Sequence, residues 1–272
     1  MGRSTGTAYD LCGPPGAPVL VLVHGLGLTR ETWDDFVPVL AQEYRVLSYD
    51  LTGHGESLPP QEKPNLTLLS EQLVRLMDDL SIDRATIAGF SLGGMINRRL
   101  AIDHPLRVVS LVILNSPHER GPEAQRLVEE RAAQTAEGGP VATIDATLER
   151  WFTPQFRKIA PDKVAQIRGW VIANNPATYA AFRQVLASGV IELIRPQPAI
   201  TAPTLVITCE HDSGSTPAMS RVISSEIAGA ETLIVPGLQH LGFIERPELF
   251  TQPILRFLGR SLPPPFLTGT KP

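Results

Sequence analysis

The sequence predicts an α/β fold: a mostly parallel sheet with helices on both faces and an inserted helical cap. Three observations predict it. Short β-rich apolar runs alternate with helical patterns in both the first and the last part of the 272-residue chain, and such alternation implies crossover connections and parallel pairing. Between Ser116 and Pro203 no strand pattern occurs, and apolar residues recur there at helical spacing. Finally, the run Ile87-Ala88-Gly89-Phe90-Ser91-Leu92-Gly93-Gly94 passes from an apolar strand straight into a helical pattern, which requires a sharp turn at Ser91.

Taken in order, strands are expected around 19–23, 45–50, 85–89, 109–115, 204–209 and 232–235, each an apolar or β-rich run closed by turn residues. Helices are expected at about 31–42, 67–80, 91–104, 217–228 and 246–259. In the middle, Val141, Ile144, Leu148 and Trp151, then Val164, Ile167 and Val171, fall on helical faces. The expected division is therefore a core of residues 1–117 and 197–272 with a cap of 118–196 over the C-terminal edge of the sheet. The Pro-rich end, 261–272, is expected to be poorly ordered. No internal repeat is present.

Gly89-Phe90-Ser91-Leu92-Gly93 fits the G-x-S-x-G pattern in its required context, with a strand before it and a helix after it. A turn this tight projects the Ser91 hydroxyl away from the sheet, and side chains at 89 and 93 would collide across it. A serine hydroxyl needs a neutral imidazole to take its proton, and the imidazole needs a carboxylate to fix its tautomer. Downstream, the strand Thr204-Leu205-Val206-Ile207-Thr208-Cys209 ends in Glu210-His211-Asp212, and Thr232-Leu233-Ile234-Val235 leads through Pro236-Gly237 to His240. Asp212 is the expected orienting acid, with Glu210 as runner-up, and His240 the expected general base. Of the other histidines, His24 and His54 fit loop orientation, His104 a helix C-terminus, and His211 points away from Asp212. His118 has no carboxylate at the expected spacing. The oxyanion of a tetrahedral intermediate needs backbone donors; these are expected from Leu92 and, in His24-Gly25-Leu26-Gly27, from Leu26.

A net charge of −4 and the absence of a long Lys/Arg run argue against nucleic acid. Cys12 and Cys209 are the two cysteines, without metal-type spacing. No metal and no cofactor is expected, and Cys209 reads as strand core. There is no secretory apolar segment, no stretch long enough for a bilayer, and Gly6 stands where myristoylation wants Ser or Thr. The expectation is a soluble, cytoplasmic protein with a small-molecule substrate, no membrane partner, and compatibility with a homo-oligomer.

These residues resemble a known family. Ser91, Asp212 and His240, with His24-Gly25-Leu26-Gly27 and Asp50-Leu51-Thr52-Gly53-His54-Gly55-Glu56-Ser57, look like the α/β-hydrolase fold over nearly the whole chain. Arg150-Trp151-Phe152-Thr153-Pro154-Gln155-Phe156-Arg157, Thr216-Pro217-Ala218-Met219 and His240-Leu241 with Glu245-Arg246-Pro247-Glu248 are similar to the 3-oxoadipate enol-lactonase branch. The chain departs from that branch at His24-Gly25, at Asp50-Leu51-Thr52-Gly53 and over Thr178 to Ile194, which leaves the particular lactone open.

The resemblance implies a serine hydrolase acting on a small lactone or carboxylic ester, of the kind met in breakdown of aromatic or heterocyclic compounds. Trp33, Trp151 and Trp170 are expected to line an apolar cleft, although core packing suits Trp151 and Trp170 equally well. An anionic substrate would need a cation, with Arg150 the first candidate and Arg30 the second. Three other readings stay open: a carbon–carbon bond hydrolase, a cofactor-free perhydrolase or haloperoxidase, and a non-catalytic ligand sensor. Against the first stands Leu241, where such enzymes tend to carry Trp after the histidine.

Overall fold

The computed structural model describes residues 1–261. Its sheet has eight strands: β1 (Gly2–Ser4), β2 (Thr7–Cys12), β3 (Val19–Val23), β4 (Arg45–Tyr49), β5 (Ala85–Phe90), β6 (Val108–Leu114), β7 (Thr204–Cys209) and β8 (Glu231–Val235). They lie in the order β1-β2-β4-β3-β5-β6-β7-β8. Every pairing from β4 to β8 is parallel, and only β1 with β2 and β2 with β4 are antiparallel. Leu20 to Val23, Ile87, Leu111 to Leu114 and Ile207 are buried, as central strands covered on both faces must be. The six strands expected from the sequence are β3 to β8, each within one residue.

The first two strands were not expected. β1 is three residues long and carries no periodicity, and β2 is half-exposed along most of its length with Asp10 in its middle. Only their register, Gly2 opposite Tyr9 and Tyr9 opposite Tyr49, reveals them.

The helices are α1 (Val37–Leu40), α2 (Leu66–Asp79), α3 (Leu92–Asp103), α4 (Pro122–Gly138), α5 (Ile144–Trp151), α6 (Pro154–Ile159), α7 (Pro161–Ala173), α8 (Pro176–Ser188), α9 (Pro217–Ser225), α10 (Gly242–Glu245) and α11 (Glu248–Ser261). The single helix expected at 31–42 is replaced by a 3-10 turn, Arg30–Trp33, and the short α1. Pro38 lacks the amide that a continuous helix would use, so the chain restarts with proline in the first turn. Beyond Ser261, the end expected to be poorly ordered lies outside the described residues.

Helices α4 to α8 fill the stretch between β6 and β7. All but α5 begin with proline, at 122, 154, 161 and 176, and Thr153 and Asn175 cap two of them by accepting the Phe156 and Thr178 amides. This segment is fastened to the loops at the strand ends. Asn174 donates to the Gly27 carbonyl (3.1 Å), the Leu241 amide to the Trp151 carbonyl (2.9 Å), and Thr153 to Glu245 through both amide and hydroxyl. Where the chain leaves and re-enters the sheet, Glu226 binds both crossings, holding His118 at 3.2 Å and accepting the Arg195 amide at 3.0 Å. His118 therefore does have a carboxylate partner, one that sequence spacing hid.

Candidate active site

Ser91 sits between β5 and α3 with φ 54° and ψ −109°, a backbone conformation that a non-glycine residue holds only when its surroundings enforce it. They do. A Cβ at position 89 would lie 2.1 Å from the Gly93 carbonyl oxygen, and one at 93 would lie 2.2 Å from that of Val23. The Ser91 amide donates to Leu114 at the end of β6, and its carbonyl accepts the Ser116 hydroxyl. Ser116 in turn accepts from the buried Arg98, which also holds the Gly94 and Pro117 carbonyls.

The His240 ring bridges two partners. Its Nε2 lies 3.2 Å from Ser91 Oγ and its Nδ1 2.6 Å from Asp212 Oδ2. Asp212 is almost wholly buried yet well satisfied: Asn115 donates to the same oxygen at 2.8 Å, and the Gly214 and Ser215 amides donate to the other. Burial alone would push this carboxyl up, but the charge and hydrogen bond of His240, with those of Asn115 and the Ser215 amide, hold it below the ordinary carboxylate range. The row sets a hydroxyl, an imidazole at hydrogen-bond distance from it and a carboxylate in line, the arrangement that serine hydrolysis uses. Glu210, by contrast, is exposed and accepts the Gly237 amide.

Beside this row runs the loop after β3. His24 Nε2 accepts the Leu51 amide, so the hydrogen sits on Nδ1 and is donated to the Gly25 carbonyl at 2.7 Å. Burial pushes His24 down to about 4, keeping it neutral in that role. Leu26 follows, lining the cavity next to Ser91, while Leu92 is buried immediately beyond it. Among the described residues neither the Leu26 nor the Leu92 amide has a backbone or side-chain acceptor.

Ser91 and His240 line a partly open cavity to which the strand-end loops and the helical segment both contribute. Trp151 lines it with its ring centroid 6.1 Å from that of His240, and Arg150 lies beside it. Three further arginines, Arg120, Arg131 and Arg183, share the cavity; sequence reading missed them, because each stands on a different part of the intervening segment.

Three expected substrate contacts lie elsewhere. Trp33 is fully buried, stacked on Phe243 (5.2 Å) and edge-on to Phe36 (5.4 Å), so it is core beneath the site. Arg30 is held by Asp10, Asp50 and Glu56 and nearly buried among them; burial would lower its pKa, but the three carboxylates raise it further above its ordinary value. Arg30 thus stiffens the loop through Asp50, which also accepts the Arg30 and Glu56 amides. Trp170 borders a separate depression with Thr29, Gly53 and Asn174. Among the described residues, no group of three or more His, Cys, Asp or Glu side chains is placed to hold a metal ion, and no helix is long and apolar enough to cross a membrane.

Comparison with known proteins agrees with this geometry. A family model described as "alpha/beta hydrolase fold" matches residues 18–247. The chain is 30% identical to 3-oxoadipate enol-lactonase 2 of Acinetobacter baylyi over 93% of its own length and 92% of the relative's. It is 25% identical to the (E)-2-((N-methylformamido)methylene)succinate hydrolase of the same organism, over 88% and 89%. Among solved structures, the enol-lactonase of Burkholderia xenovorans LB400 superposes with a TM-score of 0.86 and 32% identity, covering 93% of this chain and 96% of the other.

Proposed function

The chain belongs to the α/β-hydrolase family, and from that premise we propose that it hydrolyses a small lactone or carboxylic ester through an acyl-enzyme on Ser91. The observation that carries this reading is the hydrogen-bonded row Ser91–His240–Asp212 at the floor of a cavity walled by helices. In the first half-reaction Ser91 Oγ bonds to the acyl carbon while His240 Nε2 takes the hydroxyl proton, and the tetrahedral oxyanion accepts from the Leu26 and Leu92 amides. Collapse breaks the acyl carbon–oxygen bond, and His240 returns the proton to the leaving oxygen. Opening a lactone in this way leaves that oxygen tethered to the acyl group. Water then enters, loses a proton to His240 and attacks the ester; the second collapse regenerates the Ser91 hydroxyl and releases the acid.

Arg150 and Trp151 are the substrate contacts in this reading, and residues 118–196 act as the cap that closes the cavity. Burial, followed by repulsion from Arg131 and Arg183, lowers Arg150 to about 10, so it stays a cation at neutral pH and suits an acid-bearing substrate. The names of the relatives point the same way, one to an enol-lactone and another to a substituted succinate. Treatment with a fluorophosphonate followed by peptide mass spectrometry tests the assignment: the adduct belongs on Ser91, together with loss of lactone or ester turnover. An adduct on another serine with activity lost would overturn it.

A further inference from the structure

We propose that the substrate carries two anionic groups in addition to the bond that is cleaved, one seated among Arg131, Arg150 and Arg183 and the other at Arg120. This rests on the reading of the cavity as the hydrolase site. Arg131 comes from α4, Arg150 from α5 and Arg183 from α8, so three separate helices deliver a guanidinium to one space. Burial lowers Arg131 and Arg150, and mutual repulsion adds to it, from Arg183 on Arg131 and from both on Arg150. Like charges gathered in a partly desolvated cavity repel, and an assembly of this kind is favourable only when an anion completes it.

The protein does not supply that anion. Among the described residues no carboxylate lies within ion-pair distance of any of the four arginines. Arg150 and Arg183 donate only to threonine hydroxyls, at 3.3 and 3.5 Å, and the Arg183 guanidinium also lies over the Tyr179 ring at 6.0 Å. Arg183 is 7% exposed, and its Nε has no acceptor at all. The acid whose charge acts on Arg150 is Asp212, already occupied by its four donors. Buried donors left unpaired are costly enough that natural interiors pair them, so these await a ligand.

A single carboxylate does not satisfy the set. Its two oxygens take about four hydrogen bonds, which three guanidiniums exhaust. Arg120 is held differently from the three: it comes from the loop ahead of α4 and its terminal nitrogens donate to the Leu186 and Ala187 carbonyls at the end of α8 and to Gln125 Oε1, with its Nε unpaired. Leu26, Phe90, Val128, Trp151 and Leu186 add apolar surface to the same cavity, which suits a short hydrocarbon frame. The class is therefore a lactone or ester of a small polycarboxylic acid, whose hydrolysis releases a tricarboxylate.

Calorimetric binding of butyrate, glutarate and tricarballylate to the purified protein measures the charge count directly, and each acid's protection of Ser91 against the fluorophosphonate locates it. The expected order is tricarballylate over glutarate over butyrate, with about tenfold or more between tricarballylate and glutarate, as one added charge-assisted contact supplies. Arg120→Gln should abolish the preference for tricarballylate over glutarate and Arg120→Lys should restore part of it, while Arg131→Gln should weaken both acids. Equal affinity for glutarate and tricarballylate in the unaltered protein would overturn the second anionic site. Tight tricarballylate binding that leaves Ser91 labelling untouched would overturn it as well, because the acid would then sit elsewhere. Failure of Ser91 to label at all would instead count against the hydrolase reading, with the calorimetric order still deciding the charge count.

Discussion

The two walls of the cavity hold charge in opposite ways. On the sheet side the ionised groups are matched: Asp212, beside the cavity, accepts four hydrogen bonds, and Arg30, away from it, meets three carboxylates. On the helical side four arginines line the same space; Arg120 binds two carbonyls and the Gln125 amide oxygen, Arg150 and Arg183 each a threonine hydroxyl, and among the described residues none of the four forms an ion pair with a carboxylate. On the proposed hydrolase reading, the difference follows from what each wall must do. Groups that move protons have to be fixed before substrate arrives, since their reorganisation would add to the barrier. Groups that recognise substrate need unmet valences, because a fully paired surface has nothing left to offer.

The largest effects should come from the sheet side. Ser91→Ala is expected to lower kcat on the order of a thousandfold or more, as removal of a nucleophile does elsewhere, with the folded structure and acid binding at the arginines retained. Steady-state kinetics beside calorimetry checks both halves; a variant that lost binding along with turnover would show that the walls are not separable in this way. Trp33→Ala should act on stability, removing about 3–5 kcal/mol as large aromatic truncations in cores do, because the ring is packed on Phe243 and Phe36 rather than exposed to substrate. Denaturant unfolding measures that loss. A stable Trp33→Ala protein with altered preference among esters of different size would return Trp33 to the cavity wall.

Asn115 is the sharper probe of how the acid is held. It donates to Asp212 Oδ2, the oxygen that also receives His240, and accepts weakly from the buried Cys209 thiol at 3.7 Å. Its removal leaves Asp212 ionised but free to turn, so Asn115→Ala should cost about ten- to a hundredfold in kcat with KM little changed. Asn115→Asp would place two carboxylates together and should be worse. An Asn115→Ala enzyme with unaltered kcat would mean that the two loop amides alone are enough to orient Asp212.

The same contrast explains what the sequence made legible. Strands β3 to β8 stand out because burial on both faces makes them continuous apolar runs, and Ser91, Asp212 and His240 stand out because each follows the end of such a run. What stayed hidden depends on partners distant in the chain. Arg30 finds Asp10 and Asp50 20 residues away on either side, and Glu56 26 residues away, only once β2 has paired with β4. Arg131 and Arg183 come together through the packing of α4 on α8, and on a helical wheel each looks like an ordinary surface cation, while Arg120, ahead of α4, reaches the end of α8 across the same seam. Asn115 did leave a signal, a polar residue at the boundary of the apolar run that forms β6, but without Asp212 opposite it nothing gave that signal meaning.

The smallest expected effect concerns the join between the walls. His54 lies against Phe182 of α8 (4.8 Å between ring centroids) and against His24 (5.4 Å), and burial, then the neighbouring His24, pushes it down to about 3. Both imidazoles are therefore neutral when folded, whereas in the unfolded chain each binds a proton near pH 6.5. The unfolded state binds more protons across this window, so the stability held above pH 6.5 is progressively lost as the pH falls toward 4. His54→Gln should remove one of these titrations and flatten the fall, leaving the variant on the order of 1–2 kcal/mol less acid-sensitive at pH 5 relative to its own stability at pH 7. Melting temperature against pH for the two proteins gives the slopes. Parallel curves would show that the folded protein opens around His54 and lets it protonate, in which case the contact between the loop and α8 is looser than its packing implies.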